Sequence, residues 1–197
     1  MGNLRSVQKG FERAGFQAQV TRDFGQITSA DGVVLPGVGA FQACMENLAC
    51  FGLIETIRAV VQQKKPFLGI CLGFQLLFSE SEEFGIQRGL DLLPGRVVGF
   101  KPNNGLKVPH IGWNRIEKKK ESPFLDGLTT GDYVYFVHSY YVVPEDTSLV
   151  ATTTEYGKPF ASSIALDHLF ACQFHPEKSQ EIGLRILANF GRFVERG

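Results

Sequence analysis

The chain has 197 residues, enough for one domain, residues 1–197, with a full core. Its 20 basic and 20 acidic residues cancel, which leaves no electrostatic case for nucleic acid or for an anionic membrane surface. No apolar stretch approaches the roughly 20 residues of a membrane span, and neither a signal peptide nor an internal repeat is visible.

In chain order, Asn3 reads as the cap of a helix running to about Ala14, with Leu4, Val7 and Phe11 on one face and Gly15 as its stop. Phe16 to Val20 and Gly32 to Leu35 read as strands. Helical spacing follows from about Phe41 to Asn47 and from Leu53 to Gln63. Pro66 to Ile70 reads as a buried strand that feeds a helix after Cys71. From about Arg96 to Gln173 the pattern changes to strands and turns, and a last helix spans about Ser179 to Glu195. Alternating strands and helices predict an α/β fold: a doubly wound, mostly parallel sheet with flanking helices and a strand-rich C-terminal half.

Within this frame, Gly69-Ile70-Cys71-Leu72-Gly73 has the layout of a nucleophile elbow, with cysteine as the nucleophile. Such a turn needs nearly side-chain-free residues two before and two after the nucleophile, and Gly69 and Gly73 supply them. The thiol then stands at a helix N-terminus, whose partial positive charge favours thiolate.

Near the C-terminus, Phe170 to Phe174 reads as a strand that ends in His175-Pro176-Glu177. Residues two apart in extended chain face the same side, and Pro176 holds His175 extended. A cysteine nucleophile needs a base or an imidazolium neighbour, and the imidazole needs an acceptor that fixes its tautomer. Cys71, His175 and Glu177 fill these roles as catalytic residues. Pro36-Gly37-Val38-Gly39, at the end of a strand, reads by itself as a plain strand-to-helix loop. As part of a site it offers backbone N–H donors to an oxyanion, one from Gly37 or Val38 and another from Leu72. No Gly-Lys-Ser/Thr follows, so it is not a phosphate-binding loop.

The cysteines, Cys44, Cys50, Cys71 and Cys172, form no Cys-x-x-Cys pair and no finger spacing, and the histidines lack ligand spacing, so no metal is expected. Cys44, Cys50 and Cys172 read as packing residues. Reduced thiols fit a cytoplasmic setting.

Pro-Gly-Val-Gly, Gly-Ile-Cys-Leu-Gly-Phe-Gln and Gln-Phe-His-Pro-Glu, in that order, resemble the class I (triad) glutamine amidotransferases. Gly2-Asn3-Leu4-Arg5-Ser6-Val7, Pro109-His110-Ile111-Gly112-Trp113-Asn114, Tyr135-Phe136-Val137-His138-Ser139-Tyr140 and His175-Pro176-Glu177-Lys178-Ser179 resemble one branch of them, the glutaminase subunits of imidazole glycerol phosphate synthases of histidine biosynthesis. The resemblance implies attack of Cys71 on the side-chain amide of L-glutamine, a glutamyl thioester, and release of ammonia and glutamate. It places Gln75 and the Ser139-Tyr140 backbone in glutamine binding, and Gly37, Val38 and Leu72 near the oxyanion. It implies no cofactor. It implies a heterodimer with a (β/α)₈-barrel cyclase subunit that uses the ammonia, with Pro109, Trp113, Tyr135 and Lys178 near that interface. The residues leave Trp113 open between core packing and contact.

The family pattern begins with a buried strand and a glycine turn, whereas this chain begins within the turn, at Met1-Gly2-Asn3. The expectation is that a form starting at Met1 is less stable than one extended upstream. The same triad would also serve the glutaminase of another synthase, a γ-glutamyl hydrolase or a cysteine peptidase, and a non-enzymatic reading is a silent binding subunit.

Overall fold

The computed structural model describes residues 4–101 and 106–196. Asn3, expected to cap the first helix, lies outside the described residues. In chain order the elements are α1 (Leu4–Arg13), α2 (Phe24–Ser29), β1 (Val33–Gly37), α3 (Phe41–Cys50), α4 (Leu53–Gln62), β2 (Phe67–Cys71), α5 (Leu72–Gln75), β3 (Phe78–Ser81), β4 (Gln87–Arg88), β5 (Leu93–Gly99), β6 (His110–Arg115), β7 (Glu117–Lys118), β8 (Tyr133–His138), β9 (Tyr140–Pro144), β10 (Val150–Glu155), β11 (Pro159–Ala165), β12 (Leu169–Cys172) and α6 (Gln180–Arg196).

The central sheet has the order β1-β2-β12-β11-β10-β7. It is parallel where β2 lies between β1 and β12, and antiparallel from β12 outward. The α/β class with a strand-rich C-terminal half therefore holds, with a mixed sheet. A four-stranded sheet, β4-β3-β5-β9, and a two-stranded ribbon, β6-β8, complete the architecture.

Side chains of β2 and β12 alternate between two cores. Leu68, Ile70, Phe170 and Cys172 face one core with Val7, Phe11, Ile186, Leu187 and Phe190 of α1 and α6. Phe67, Leu169 and Ala171 face the other with Phe41, Leu48, Ile57 and Val60 of α3 and α4. Both faces are covered, and this is why the central strands are apolar throughout rather than alternating.

Several boundaries differ from expectation. Phe16 to Val20 forms no strand, since no described strand pairs with the outer edge of β1. Phe16 instead packs against Gly191 of α6. The helix after Cys71 is a single turn, and Phe78 already belongs to β3. α2 was not anticipated; Asp23 caps it by accepting from the Gln26 N–H. Gly15 ends α1 as expected, at φ +92°. Cys44 is half-buried and Cys172 fully buried, but Cys50 is exposed. At 100° per residue the two cysteines of α3 lie on different faces, which corrects the packing expectation for Cys50.

Candidate active site

Cys71 is the last residue of β2, with φ +55° and ψ −109°. A non-glycine residue holds such a conformation only when its surroundings impose it, and a strained strand-to-helix turn of this kind is what a nucleophile elbow requires. Contact requires the glycine at 73 and leaves little room for a side chain at 69. A Cβ on Gly73 would fall 1.8 Å from the Leu35 carbonyl oxygen, and one on Gly69 would fall 3.1 Å from the Ala171 Cβ. Cys71 is buried, 7% exposed. Its Sγ is 3.9 Å from the Val137 carbonyl oxygen, and Gln173 Nε2 donates to it at 3.7 Å.

Ile70 and Cys172 are register partners in the parallel β2-β12 pair. The chain leaving β12 therefore passes the elbow, and it carries His175 and Glu177. The His175 backbone N–H donates to the Tyr135 carbonyl at 2.9 Å, which ties this turn to the β6-β8 ribbon. The His175 carbonyl accepts from Ser179 Oγ at 2.7 Å. His175 Nδ1 lies 2.8 Å from Glu177 Oε1, with both side chains buried. His175 Nε2 has no hydrogen-bond partner among the described residues. Burial pushes the imidazole pKa down, but the Cys71 thiol and the Glu177 carboxylate outweigh it and raise the value to about 9. Among the described residues no hydrogen bond of normal geometry joins His175 Nε2 to the Cys71 thiol, as is common before substrate aligns a site.

The Gly-rich loop is held at both ends. Gly37 pairs in register with Cys71, and a Cβ on Gly37 would fall 3.0 Å from both the Gly73 nitrogen and the Leu72 Cβ. At the other end the Phe41 N–H donates to Glu83 Oε2 at 2.5 Å. Val38 and Gly39 lie exposed between these anchors. Leu72 is buried as the first residue of α5.

Gln75 is buried, and its Nε2 donates to the Tyr140 carbonyl and to Gln173 Oε1, both at 2.9 Å. The Ser139 carbonyl accepts from the Phe100 N–H at 3.0 Å. The backbone carbonyls of Ser139 and Tyr140 are thus already engaged inside the protein. Gln173, His110 and His138, which the sequence reading assigned no role, join this network. Their signal in the chain is their place in the Pro109–Asn114, Tyr135–Tyr140 and Gln173–Glu177 segments, but nothing local says that they meet.

On the outer side of the ribbon, Trp113 is 44% exposed and Ile111 and Tyr133 are also exposed. Trp113 and Tyr135 are register partners with rings 6.0 Å apart, and Lys178 Nζ lies 5.7 Å from the Tyr135 ring. Exposed Pro109 follows a cis peptide bond at the start of β6. Trp113, Tyr135 and Lys178 lie together, and Trp113 is a surface residue rather than core.

A separate cleft of about 720 Å³, lined by Arg13, Asp126, Glu181, Arg185 and Arg192 among others, shares no residue with the elbow. Among the described residues no cluster of three or more His, Cys, Asp or Glu is placed to hold a metal ion. No helix among them is long and apolar enough to cross a membrane.

Solved structures share this fold. A glutamine amidotransferase crystal structure superposes with TM-score 0.75 at 17% identity, covering 98% of this chain and 95% of that one. Another glutamine amidotransferase, from Thermotoga maritima, superposes with TM-score 0.67 at 16% identity, covering 96% and 91%. At these identities the likeness defines the class of fold. The family model for class-I glutamine amidotransferases matches residues 3–192. The chain is 57% identical to the imidazole glycerol phosphate synthase subunit HisH of Syntrophotalea carbinolica, covering 97% of this chain and 95% of the relative. It is 55% identical to the HisH subunit of Aquifex aeolicus, covering 100% and 94%. The chain belongs to the class-I glutamine amidotransferases and, within them, to the family of imidazole glycerol phosphate synthase HisH subunits.

Proposed function

We propose that this chain is the glutaminase subunit of an imidazole glycerol phosphate synthase, hydrolysing L-glutamine with Cys71 as nucleophile, His175 as acid and base and Glu177 as its orienting carboxylate. The observation that carries the reading is the elbow geometry of Cys71 beside a buried His175–Glu177 pair. An imidazolium at His175 is the counter-charge that a thiolate nucleophile requires.

Thiolate Sγ attacks the side-chain carbonyl carbon of glutamine. The carbonyl oxygen becomes an oxyanion, received by the N–H of Leu72 and one from Gly37 or Val38. The C–N bond then breaks as His175 passes its proton to the leaving nitrogen, which departs as ammonia. Neutral His175 next takes a proton from water, the resulting hydroxide attacks the thioester, and the C–S bond breaks to give glutamate and thiolate. Gln75 and the Ser139-Tyr140 backbone contribute to holding the substrate.

The ammonia goes to a (β/α)₈-barrel cyclase subunit docked near Pro109, Trp113, Tyr135 and Lys178, an assembly that works in the cytoplasm. The test is glutamate release from glutamine, by the chain alone and with a cyclase subunit carrying its nucleotide ligand. Release that rises with the liganded cyclase and vanishes in Cys71→Ala supports the reading. A folded chain that releases none in either condition refutes it.

A further inference from the structure

Two buried imidazoles lie outside the triad, and their hydrogen bonds have one possible direction. The Tyr140 carbonyl only accepts, so His138 Nδ1, 2.8 Å away, carries a proton. Burial holds His138 neutral, its pKa lowered to about 3, so its Nε2 accepts. His110 Nδ1, 2.9 Å from that Nε2, is therefore the donor. His110 is also kept neutral by burial, its pKa lowered to about 4. Its Nε2 accepts from Asn114 Nδ2 at 3.2 Å. The Asn114 amide is oriented independently: Nδ2 also donates to the Glu155 carbonyl at 2.9 Å, and Oδ1 accepts from the Arg115 N–H at 2.8 Å.

The chain continues beyond the Tyr140 carbonyl. Gln75 Nε2 donates to that carbonyl and to Gln173 Oε1. With its oxygen engaged, Gln173 presents Nε2 to Cys71 Sγ. The imidazole planes are clamped by aromatic rings. His110 stacks on Tyr156 with centroids 3.9 Å apart, and Phe100 meets His138 edge-on at 5.3 Å. An apolar pair would fill this space without the cost of desolvating two imidazoles.

We propose that His138, its ring set by the His110 hydrogen bond, is a positioning residue for the Cys71 thiol, acting through a hydrogen-bond chain that runs His138, Tyr140 carbonyl, Gln75, Gln173, Cys71. The proposal rests on the nucleophilic role given to Cys71 above. A fixed Tyr140 carbonyl fixes the Gln75 amide, the amide orients Gln173, and Gln173 sets Sγ from one side while the Val137 carbonyl sets it from the other.

The test is glutamine turnover, with the cyclase subunit present, by His138→Leu, His138→Asn, Gln173→Leu and the His138→Leu/Gln173→Leu double variant. Asparagine keeps the donor that faces Tyr140; leucine keeps only bulk. His138→Leu is expected to lower kcat about ten-fold, the worth of one buried hydrogen bond. His138→Asn is expected to recover most of that loss. The double variant is expected to fall no further than Gln173→Leu alone, as for links of one chain. An unchanged kcat in His138→Leu, an asparagine no better than leucine, or losses that multiply would overturn the proposal.

¹⁵N spectra of the wild type keep the question open to refutation if a variant does not fold. Both rings must be neutral with the proton on Nδ1 at pH 7, and a proton on His138 Nε2 overturns the chain. Should the wild type release no glutamate, the function proposed above fails, while the spectra still decide the direction of the chain. The Gln173 side-chain amide resonance, which must shift in Cys71→Ala, still decides whether it reaches the thiol.

Discussion

Gly73 packs so closely beneath Leu35 that a Cβ on it would fall 1.8 Å from the Leu35 carbonyl oxygen. This contact seats the first turn of α5 against the end of β1, so the elbow and the Gly-rich loop share one wall. Gly73→Ala must push the two elements apart. Overpacking of this kind costs about 1–3 kcal/mol, and here backbone rather than a flexible side chain has to move. A free energy of unfolding in urea lowered by that amount is expected, together with loss of glutamine hydrolysis. An alanine variant of wild-type stability would show that the two elements are not held in contact.

Glu177 meets His175 with both side chains out of solvent. Glu177→Gln keeps an acceptor for Nδ1 and removes the charge that helps to raise the His175 pKa to about 9. By analogy with the loss of the carboxylate in a serine protease triad, kcat is expected to fall at least about 100-fold. KM should move less than about three-fold, because in the proposed mechanism the carboxylate touches no substrate. Steady-state kinetics with the cyclase subunit, beside an unchanged far-ultraviolet spectrum, give the answer. A variant that keeps most of its kcat removes Glu177 from the machinery.

The elbow could be read from the chain because its requirement is local. Two glycines flank one residue, and the observed φ of +55° at Cys71 is what that pattern encodes. The hydrogen bond between His175 and Glu177 was legible for the same reason, the two being two residues apart on a short rigid turn. The antiparallel half of the central sheet, from β12 through β11 and β10 to β7, was not. Which strands pair, and in which direction, is settled by contacts distant in sequence. The missing strand at Phe16 to Val20 shows the same limit, since extended propensity yields a strand only where a ladder partner exists. The hydrogen-bond chain is the clearest case. His110 and His138 stand 28 residues apart, and Gln75 and Gln173 stand 98 apart.

The buried histidines give stability opposite dependences on pH. His110 and His138 are pushed by burial from the ordinary 6.5 to about 4 and about 3. Below pH 6.5 the unfolded chain takes up protons that the folded chain refuses. Their contribution is therefore complete above 6.5 and is lost as pH falls toward 4 and 3. His175 runs the other way. Its folded value of about 9 exceeds 6.5, so its contribution is complete below 6.5 and is lost as pH rises through 9. Each group contributes a slope of at most about 1.4 kcal/mol per pH unit within its window. Unfolding free energy is expected to peak near pH 6.5. His138→Asn should make the acid side shallower and Cys71→Ala the alkaline side. Urea unfolding from pH 4 to pH 9 tests this, and an alkaline limb that Cys71→Ala leaves unchanged would count against the coupling of Cys71 to His175.

Trp113 and Tyr135 pair across the ribbon with their rings 6.0 Å apart, yet Trp113 keeps 44% of its surface in solvent. Ile111 and Tyr133 extend the same exposed apolar surface, and Lys178 Nζ stands over the Tyr135 ring. Large aromatics at the centre of an interface carry an outsized share of binding energy, about 2–4 kcal/mol for a buried anchor. Trp113→Ala is therefore expected to weaken docking of the cyclase subunit by about 30-fold or more. The same substitution should leave the chain's own unfolding midpoint nearly unchanged, because a half-exposed ring contributes little to the core. Calorimetric titration of the cyclase subunit, paired with urea unfolding of the free chain, separates the two effects. Unchanged affinity would move the docking surface off this ribbon. A large loss of stability would return Trp113 to the core.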